Sequence, residues 1–375
     1  MPDIAALYTN HYDETEVYRQ VSALLDALHV PDDVKPGMKV VLKLNLLTGR
    51  APEYCVTTHP SVVRAVALYL REHGITDITA ADSPGGPFTV EALTNIYKAC
   101  RMLPLEEEGL LKLNRDVSWK TVSCPEGFTV KSFNRISVIA DADYVINLAK
   151  MKTHGMVRFT CGIKNLFGTI PGLQKPEMHY RYPNLKEFSH MLVELARSAH
   201  PAVTLVDAID AMEGDGPHGG TVRHVGLLLA SRDIFTLDYV AAQVAGIDPL
   251  SVGMIADAVE NGLVKEKEIS YPLDTPKPLE VPFTLPKATD ILFLSRFPAF
   301  LRKPVQKVAS VLFHPVPKLD PSKCVGCGRC AESCPRHLIT VSGGKAHFTR
   351  KDCISCFCCQ EMCPMKAIGV KRLLG

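Results

Sequence analysis

The sequence predicts an α/β protein: a largely parallel sheet flanked by helices, with a small α+β segment towards its C-terminal end. Short apolar runs alternate with amphipathic helices from about residue 38 to about residue 261, the pattern of strand–helix–strand units that build parallel sheets. Four of these strands end in polar residues. Eight cysteines at a repeated spacing then fall within residues 324–363, which sets that segment apart.

In chain order, Met38–Leu44 (MKVVLKL) reads as a buried strand. His59-Pro60 opens a helix with Val62, Ala65, Val66 and Tyr69 at i, i+3, i+4 and i+7, and Gly74 closes it. Thr76–Ala81 is predicted as a second strand, ending in Asp82-Ser83-Pro84-Gly85-Gly86, and Val90–Arg101 as a helix. Residues 105–135 are less periodic and read as an insertion with short strands. Asp143–Leu148 (DYVINL) is predicted as a buried strand that runs into Lys150-Met-Lys152-Thr153-His154-Gly155. A helix is expected over Pro183–His200, with Leu185, Phe188, Leu192 and Leu195 on one face. Ala202–Ile209 and Val222–Ala230 are predicted strands, and Ile234–Ala245 and Val252–Asn261 predicted helices. Tyr271 to Pro286 is proline-rich and reads as an extended connection. A basic amphipathic stretch over 290–313, with Arg296, Arg302, Lys303 and Lys307, suits either a membrane surface or a helix packing two domains together. Pro298 and Pro304 favour the second. The expected units are residues 1–270, the connection and packing helix at 271–315, and a metal-binding domain at 316–375.

Composition narrows the function classes. The 375 residues are 46% hydrophobic and 22% charged with a net charge of +2, so no broad basic surface argues for nucleic acid. No apolar run approaches the roughly 20 residues of a membrane helix, and Met-Pro-Asp-Ile-Ala-Ala-Leu-Tyr has no basic-then-apolar leader. Four of the thirteen cysteines (Cys55, Cys100, Cys124, Cys161) are scattered singly. That pattern leads us to expect a reducing, cytoplasmic setting.

The cysteine runs are the strongest chemical signal. Cys324-x2-Cys327-x2-Cys330-x3-Cys334-Pro335 is repeated as Cys353-x2-Cys356-x2-Cys359-x3-Cys363-Pro364. Three thiolates on a tight loop ligate one cubane, and the fourth crosses to the other. Two [4Fe–4S] clusters are therefore expected, one on Cys324, Cys327, Cys330 and Cys363, the other on Cys353, Cys356, Cys359 and Cys334. The spacing resembles a bacterial-type two-cluster ferredoxin module. A zinc site is the alternative, but zinc needs neither the third cysteine of each run nor the Cys-Pro ending. Cys358 fits no ligand slot and reads as a small packed residue.

Gly214-Asp-Gly216-Pro-His-Gly219 has the letter of a dinucleotide fingerprint but precedes a strand rather than a helix. It reads better as a close-approach loop at a strand end, where open α/β sheets place ligands. Its acids, Asp207, Asp210, Glu213 and Asp215, suit a cation or a base, or ordinary turn chemistry. Lys150, Lys152, His154 and Lys164 lie just past another strand and read as an anion site. Lys43, Asn45, Asp82 and Ser83 mark further strand ends, so one shared cleft is expected, with His179 able to join it.

These segments carry a resemblance. Leu42-Lys43-Leu44-Asn45-Leu46, Asp82-Ser83-Pro84-Gly85, Asn147-Leu-Ala-Lys150-Met-Lys152-Thr153-His154, Gly162-Ile-Lys164-Asn165-Leu-Phe-Gly168 and Asp207-Ala-Ile-Asp210-Ala-Met-Glu213-Gly214-Asp215-Gly216-Pro217 resemble, in order over about residues 1–265, the family called domain of unknown function 362. The resemblance implies the α/β architecture, a cleft and fusion to a two-cluster module, and leaves the reaction open.

Clusters move electrons but do not select a substrate. The expected function is therefore an iron–sulfur oxidoreductase passing single electrons to a small anionic substrate or cofactor in the cleft. Lys43, Lys152 and Lys164 would bind the anion, Asn45 and Asn165 orient it, and His154, Glu213 and Lys152 serve the chemistry. Asp82, Ser83, Gly214 and Gly216 would complete the binding set. A redox partner protein would supply or take the electrons. The rivals are an electron carrier or interaction protein that docks a redox partner, and a non-redox cleft enzyme with structural or sensory clusters.

Overall fold

The computed structural model describes residues 3–286, 316–349 and 351–371. The α/β part contains β1 (Ala5–Tyr8), α1 (Glu14–Ala27), β2 (Lys39–Lys43), α2 (Pro60–Glu72), β3 (Asp77–Ala81), α3 (Val90–Ala99), α4 (Leu103–Glu107), β4 (Lys112–Leu113), β5 (Trp119–Ser123), β6 (Ser132–Ile136) and α5 (Ser137–Ala140). It continues with β7 (Tyr144–His154), β8 (Arg158–Thr160), α6 (Gly162–Asn165), α7 (Gln174–Arg181), α8 (Leu185–Ala199), β9 (Val203–Glu213), β10 (Thr221–Ser231), α9 (Ile234–Val244) and α10 (Gly253–Glu260).

The main sheet runs β1-β10-β9-β7-β2-β3-β4, with β8 added to the end of β7. From β9 to β4 the pairings are parallel, whereas β10 is antiparallel to β9 and to β1. Successive side chains leave a strand on opposite faces, and the core divides accordingly. Leu227 and Leu229 of β10 join one apolar cluster with Phe188, Leu192 and Leu237, while Leu228 and Ala230 join the other with Val21, Leu24, Val66 and Tyr97. The sheet is thus sandwiched between α6, α8, α9 and α10 on one face and α1, α2 and α3 on the other.

Several elements go beyond the sequence expectation, among them β8, α6 and α7, the last a helix that carries His179. β1 and α1 occupy the start of the chain, and α1 buries Val17, Val21, Leu24 and Leu25 behind an Asp13 cap whose side chain accepts the Glu16 N–H at 2.9 Å. β7 and β9 are also longer than predicted. Lys150, Lys152, Thr153 and His154 lie within β7 rather than past it, and their polar groups find partners inside the protein. Lys150 Nζ, for instance, meets Asp207 Oδ2 of β9 at 2.8 Å. Between β7 and β9 the register jumps from Lys150↔Asp207 to Lys152↔Met212, an irregularity of the kind that re-aims side chains near sites.

The 214–220 loop is a hairpin, closed by Thr221 opposite Glu213, so the Rossmann geometry is absent there. Gly216 is packed so tightly on the Thr153 carbonyl that a Cβ would collide with it. Residues 271–286 form no helix or strand and are pinned by the Leu279 and Phe283 N–H groups to the end of α9 and by the Thr284 carbonyl to Gly214. The packing helix expected over 290–313 lies outside the described residues.

The C-terminal segment is small and α+β. β11 (Val316–Leu319) pairs with β14 (Ile368–Lys371), and β12 (Ile339–Ser342) with β13 (Lys345–Phe348), both antiparallel. Two short helices, Arg329–Glu332 and Cys358–Glu361, lie between them in sequence.

Candidate functional site

A cavity opens at the C-terminal edge of the parallel strands. Asn45 follows β2, Asp82 and Ser83 follow β3, and Lys152 and His154 end β7. Lys164 and Asn165 arrive on α6, and Lys175 and His179 on α7. The far wall comes from the cysteine-rich segment: Ser333, Cys358, Glu361 and Met362.

The polar groups form a graded network. Lys43 is fully buried behind the wall, with its Nζ 2.8 Å from Asp82 Oδ1. Asp82 also accepts the Leu46 N–H at 2.8 Å. Lys152 donates to Asn45 Oδ1 and, at 2.6 Å, to the Val56 carbonyl. Asn45 in turn donates to Asn165 Oδ1 at 2.7 Å, and Asn165 donates to Asn147 Oδ1 at 2.8 Å. Lys175 Nζ donates to Ser83 Oγ at 3.0 Å and to the Pro84 carbonyl at 3.2 Å. Lys164 differs: among the described residues it has no hydrogen-bond or ion-pair partner, and its ammonium stands over the Phe167 ring, 4.2 Å from the centroid.

Burial sets the protonation of these groups. It pulls Lys152 down to about 7, helped by Lys150, and Lys175 down to about 7 despite Asp82. Lys43 and Lys164 are lowered by the same cause. His179 is pulled down to about 3 and is neutral; it stacks on Phe188 at 4.3 Å and forms an aromatic wall. His154 is lowered by burial against the pull of Glu361. Its Nδ1 accepts the Met156 N–H at 3.1 Å, so the ring hydrogen sits on Nε2, 3.1 Å from Glu361 Oε1. Burial lifts the Glu361 carboxyl, but His154 and Lys164 outweigh it and hold it at about 2.

The two segments touch elsewhere. His218 Nε2 donates to the Cys363 carbonyl at 3.2 Å and Arg50 to the Pro364 carbonyl at 2.9 Å. Met362 sits so close to Gly85 and Gly86 that a Cβ on Gly85 would lie 2.6 Å from its sulfur.

The cysteines line two further cavities. One is bordered by Cys324, Cys327, Cys330 and Cys363; the other by Cys334, Cys353, Cys356 and Cys359. Each therefore takes three thiols from one run and the fourth from the other. Among the described residues no three His, Cys, Asp or Glu side chains gather as a single-ion site. Burial pushes the Cys330, Cys353 and Cys359 thiols up, so ionising them needs nearby positive charge, which cluster irons carry. Four thiols bordering each pocket are the donor set that a cubane takes. Cys358 faces the central cavity rather than either of these.

A family model described as a domain of unknown function (DUF362) matches residues 40–243, and one described as a 4Fe-4S dicluster domain matches residues 316–364. A thylakoid-associated protein of Synechocystis sp. is 34% identical over 287 residues, covering 74% of this chain and 85% of that protein. The chain belongs to the DUF362 family. Two solved structures are more distant. The lactate racemase apoprotein from Thermoanaerobacterium thermosaccharolyticum is 13% identical with a TM-score of 0.35, over 60% of this chain and 54% of that one. A Thermotoga maritima protein is 14% identical with a TM-score of 0.31, over 53% and 51%. The chain spans about half the length of each.

Within the DUF362 domain, Asn45, Asp82, Ser83, Lys152, His154, Lys164 and Asn165 border one cavity, with Lys43 directly behind. Glu213 does not reach it; its carboxylate accepts the Thr284 N–H at 2.9 Å on the outer side of the hairpin. Gly214 and Gly216 shape that hairpin, and Pro217 alone of the loop borders the cavity. Lys150 is turned away into a closed network with Asp207 and Tyr12, and Asp210 pairs with His224. Lys175 and Glu361 went unnoticed in the sequence. Lys175 had no strand end to mark it, and Glu361 lies between two cysteines that dominate their surroundings. Among the described residues no helix is long and apolar enough to cross a membrane.

Proposed function

We infer that the chain is an iron–sulfur oxidoreductase that passes single electrons to a small anionic ligand held in the DUF362 cleft. One observation carries this reading: the cleft is walled on one side by lysines of the sheet edge and on the other by Ser333, Cys358, Glu361 and Met362, each next to a cysteine of the two runs or separated from one by a single residue. A ligand there lies against both segments.

Two [4Fe–4S] clusters would be held by Cys324, Cys327, Cys330 and Cys363, and by Cys334, Cys353, Cys356 and Cys359; when bound they supply one-electron chemistry. The remaining roles fall to the side chains. Lys164, without a protein acceptor, takes the anion first. Lys152 and Lys175, fixed by their acceptors and lowered to about 7, sit where each can hold or release a proton. Asn45 and Asn165 keep Lys152 in place, and His154 presents its Nε2 hydrogen. The His179, Phe167 and Phe188 rings exclude water. Lys43 and Asp82 act from behind the wall as a positioning pair. A redox partner would approach the edge at Cys327 and Val325, which are exposed.

The test uses anaerobically purified protein. Lys152→Ala should keep its iron and fold yet lose any small molecule that co-purifies with or soaks into the cleft. If it binds as well as the parent, the anion site is wrong. If reduction of the protein leaves a bound ligand unchanged, the carrier or sensor rivals stand instead.

A further inference from the structure

Glu361 gives the cleft a feature that the oxidoreductase reading does not use. The DUF362 side of the cavity gathers Lys43, Lys152, Lys164 and Lys175 against one carboxylate, Asp82. Surplus positive charge in a partly dehydrated site is costly unless an anion meets it. A second carboxylate, Glu361, lines the same cavity and comes from the other segment. Its Oε1 lies 3.1 Å from His154 Nε2, and its side chain is 17% exposed. Glu361 ends the short helix Cys358–Glu361, two residues after Cys359 and two before Cys363. Next to it, Met362 fills the notch at Gly85 and Gly86.

We propose that Glu361 is the resident occupant of the anion site, so that a small oxyanion or carboxylate enters by displacing it from His154 and thereby loosens the dicluster segment from the cleft. This rests on the anion-site reading above. Two anions cannot share one small cationic pocket without repulsion, so ligand and Glu361 compete. The coupling is reciprocal: whatever lifts the dicluster segment raises the affinity of the cleft for its anion, and an anion in the cleft eases that lifting. The cleft is thereby open to exchange when the segment is released and closed over by its own carboxylate when it is not.

The test is titration calorimetry of the cluster-loaded full chain with inorganic phosphate and, separately, oxalate. Glu361→Gln removes the resident charge and keeps the shape. It should bind at least one probe about tenfold more tightly than the parent, with unchanged iron content. Equal affinity in both proteins overturns the occupant role and leaves the anion site standing. Weaker binding by Glu361→Gln overturns it too, by making Glu361 part of the ligand's own holding set. Binding of neither probe by either protein removes the anion site, and this proposal with it. Hydrogen exchange on the parent needs no variant: saturating phosphate should speed exchange of the amides of residues 360–363 several-fold, and slowed or unchanged exchange there counts against displacement.

Discussion

Replacing Asp82 by Asn tests the ion pair on which the cleft wall rests. Lys43 is fully buried, and its Nζ has the Asp82 carboxylate at 2.8 Å and the Leu44 carbonyl at 2.6 Å. Asn keeps the shape and an acceptor for the Leu46 N–H but withdraws the charge. Breaking a buried pair from one side costs about 3–5 kcal/mol, far more than the 0–1 kcal/mol of an exposed pair. The lysine can limit that cost by giving up its proton. Burial already lowers the Lys43 pKa and Asp82 is what raises it, so in the variant it falls further. A lysine whose folded pKa lies below its unfolded value of about 10.4 binds fewer protons when folded, so stability rises with pH between the two values. Asp82→Asn should therefore unfold at lower urea than the parent at pH 7 and recover part of the difference by pH 9. Urea titrations of the anaerobic, cluster-loaded chain followed by circular dichroism measure both. A loss below about 1 kcal/mol at pH 7, within the range of surface pairs, or a loss that does not shrink with pH, refutes the account.

Other consequences are as direct. Anaerobically purified protein should hold about eight irons with matching sulfide; stoichiometric zinc with little iron would contradict the cysteine assignment. Cys334→Ala should damage the cluster otherwise held by the second run, whereas Cys358→Ala should leave the iron content unchanged, as chemical iron analysis will show. Gly85→Ala should push Met362 out of its notch at a cost of roughly 1 kcal/mol, the low end for overpacking because a thioether yields easily. The loss should appear as faster hydrogen exchange around Met362, with exchange in α1 and α2 unchanged. Iron chelation should unfold the segment from residue 316 on and spare the sheet, because a small unit with few apolar residues depends on its metals; loss of all circular dichroism together would refute this.

Most of the sheet was legible in the sequence because its central strands are buried on both faces and carry short, mainly apolar runs. The charged ends of β7 were not. A lysine inside a strand makes sense only once its partner is known, and Asp207 lies 57 positions from Lys150 in the chain. The shared cleft was legible in outline, since parallel strands deliver their ends to one side. Glu213 shows the limit of that rule: it too ends a strand, but β10 returns antiparallel beside it, and the hairpin carries its carboxylate outward to Thr284. Glu361 shows another limit, because a wall contributed by a second segment has no periodicity to announce it. The start of the chain was legible in principle, as Val17, Val21, Leu24 and Leu25 recur at helical spacing behind Asp13.

The interleaving of cleft-lining residues with cysteines has a consequence for modularity. Ser333 precedes Cys334, Cys358 precedes Cys359, and Glu361 and Met362 immediately precede Cys363. A stranger's ferredoxin grafted after residue 286 would bring irons but the wrong ceiling, and the pocket would lose its shape along with its carboxylate. Substitutions that adapt the pocket to a new ligand on this side would equally disturb the surroundings of the clusters. Ligand choice and redox poise are then inherited together, so relatives that differ in one should differ in the other within these same few positions.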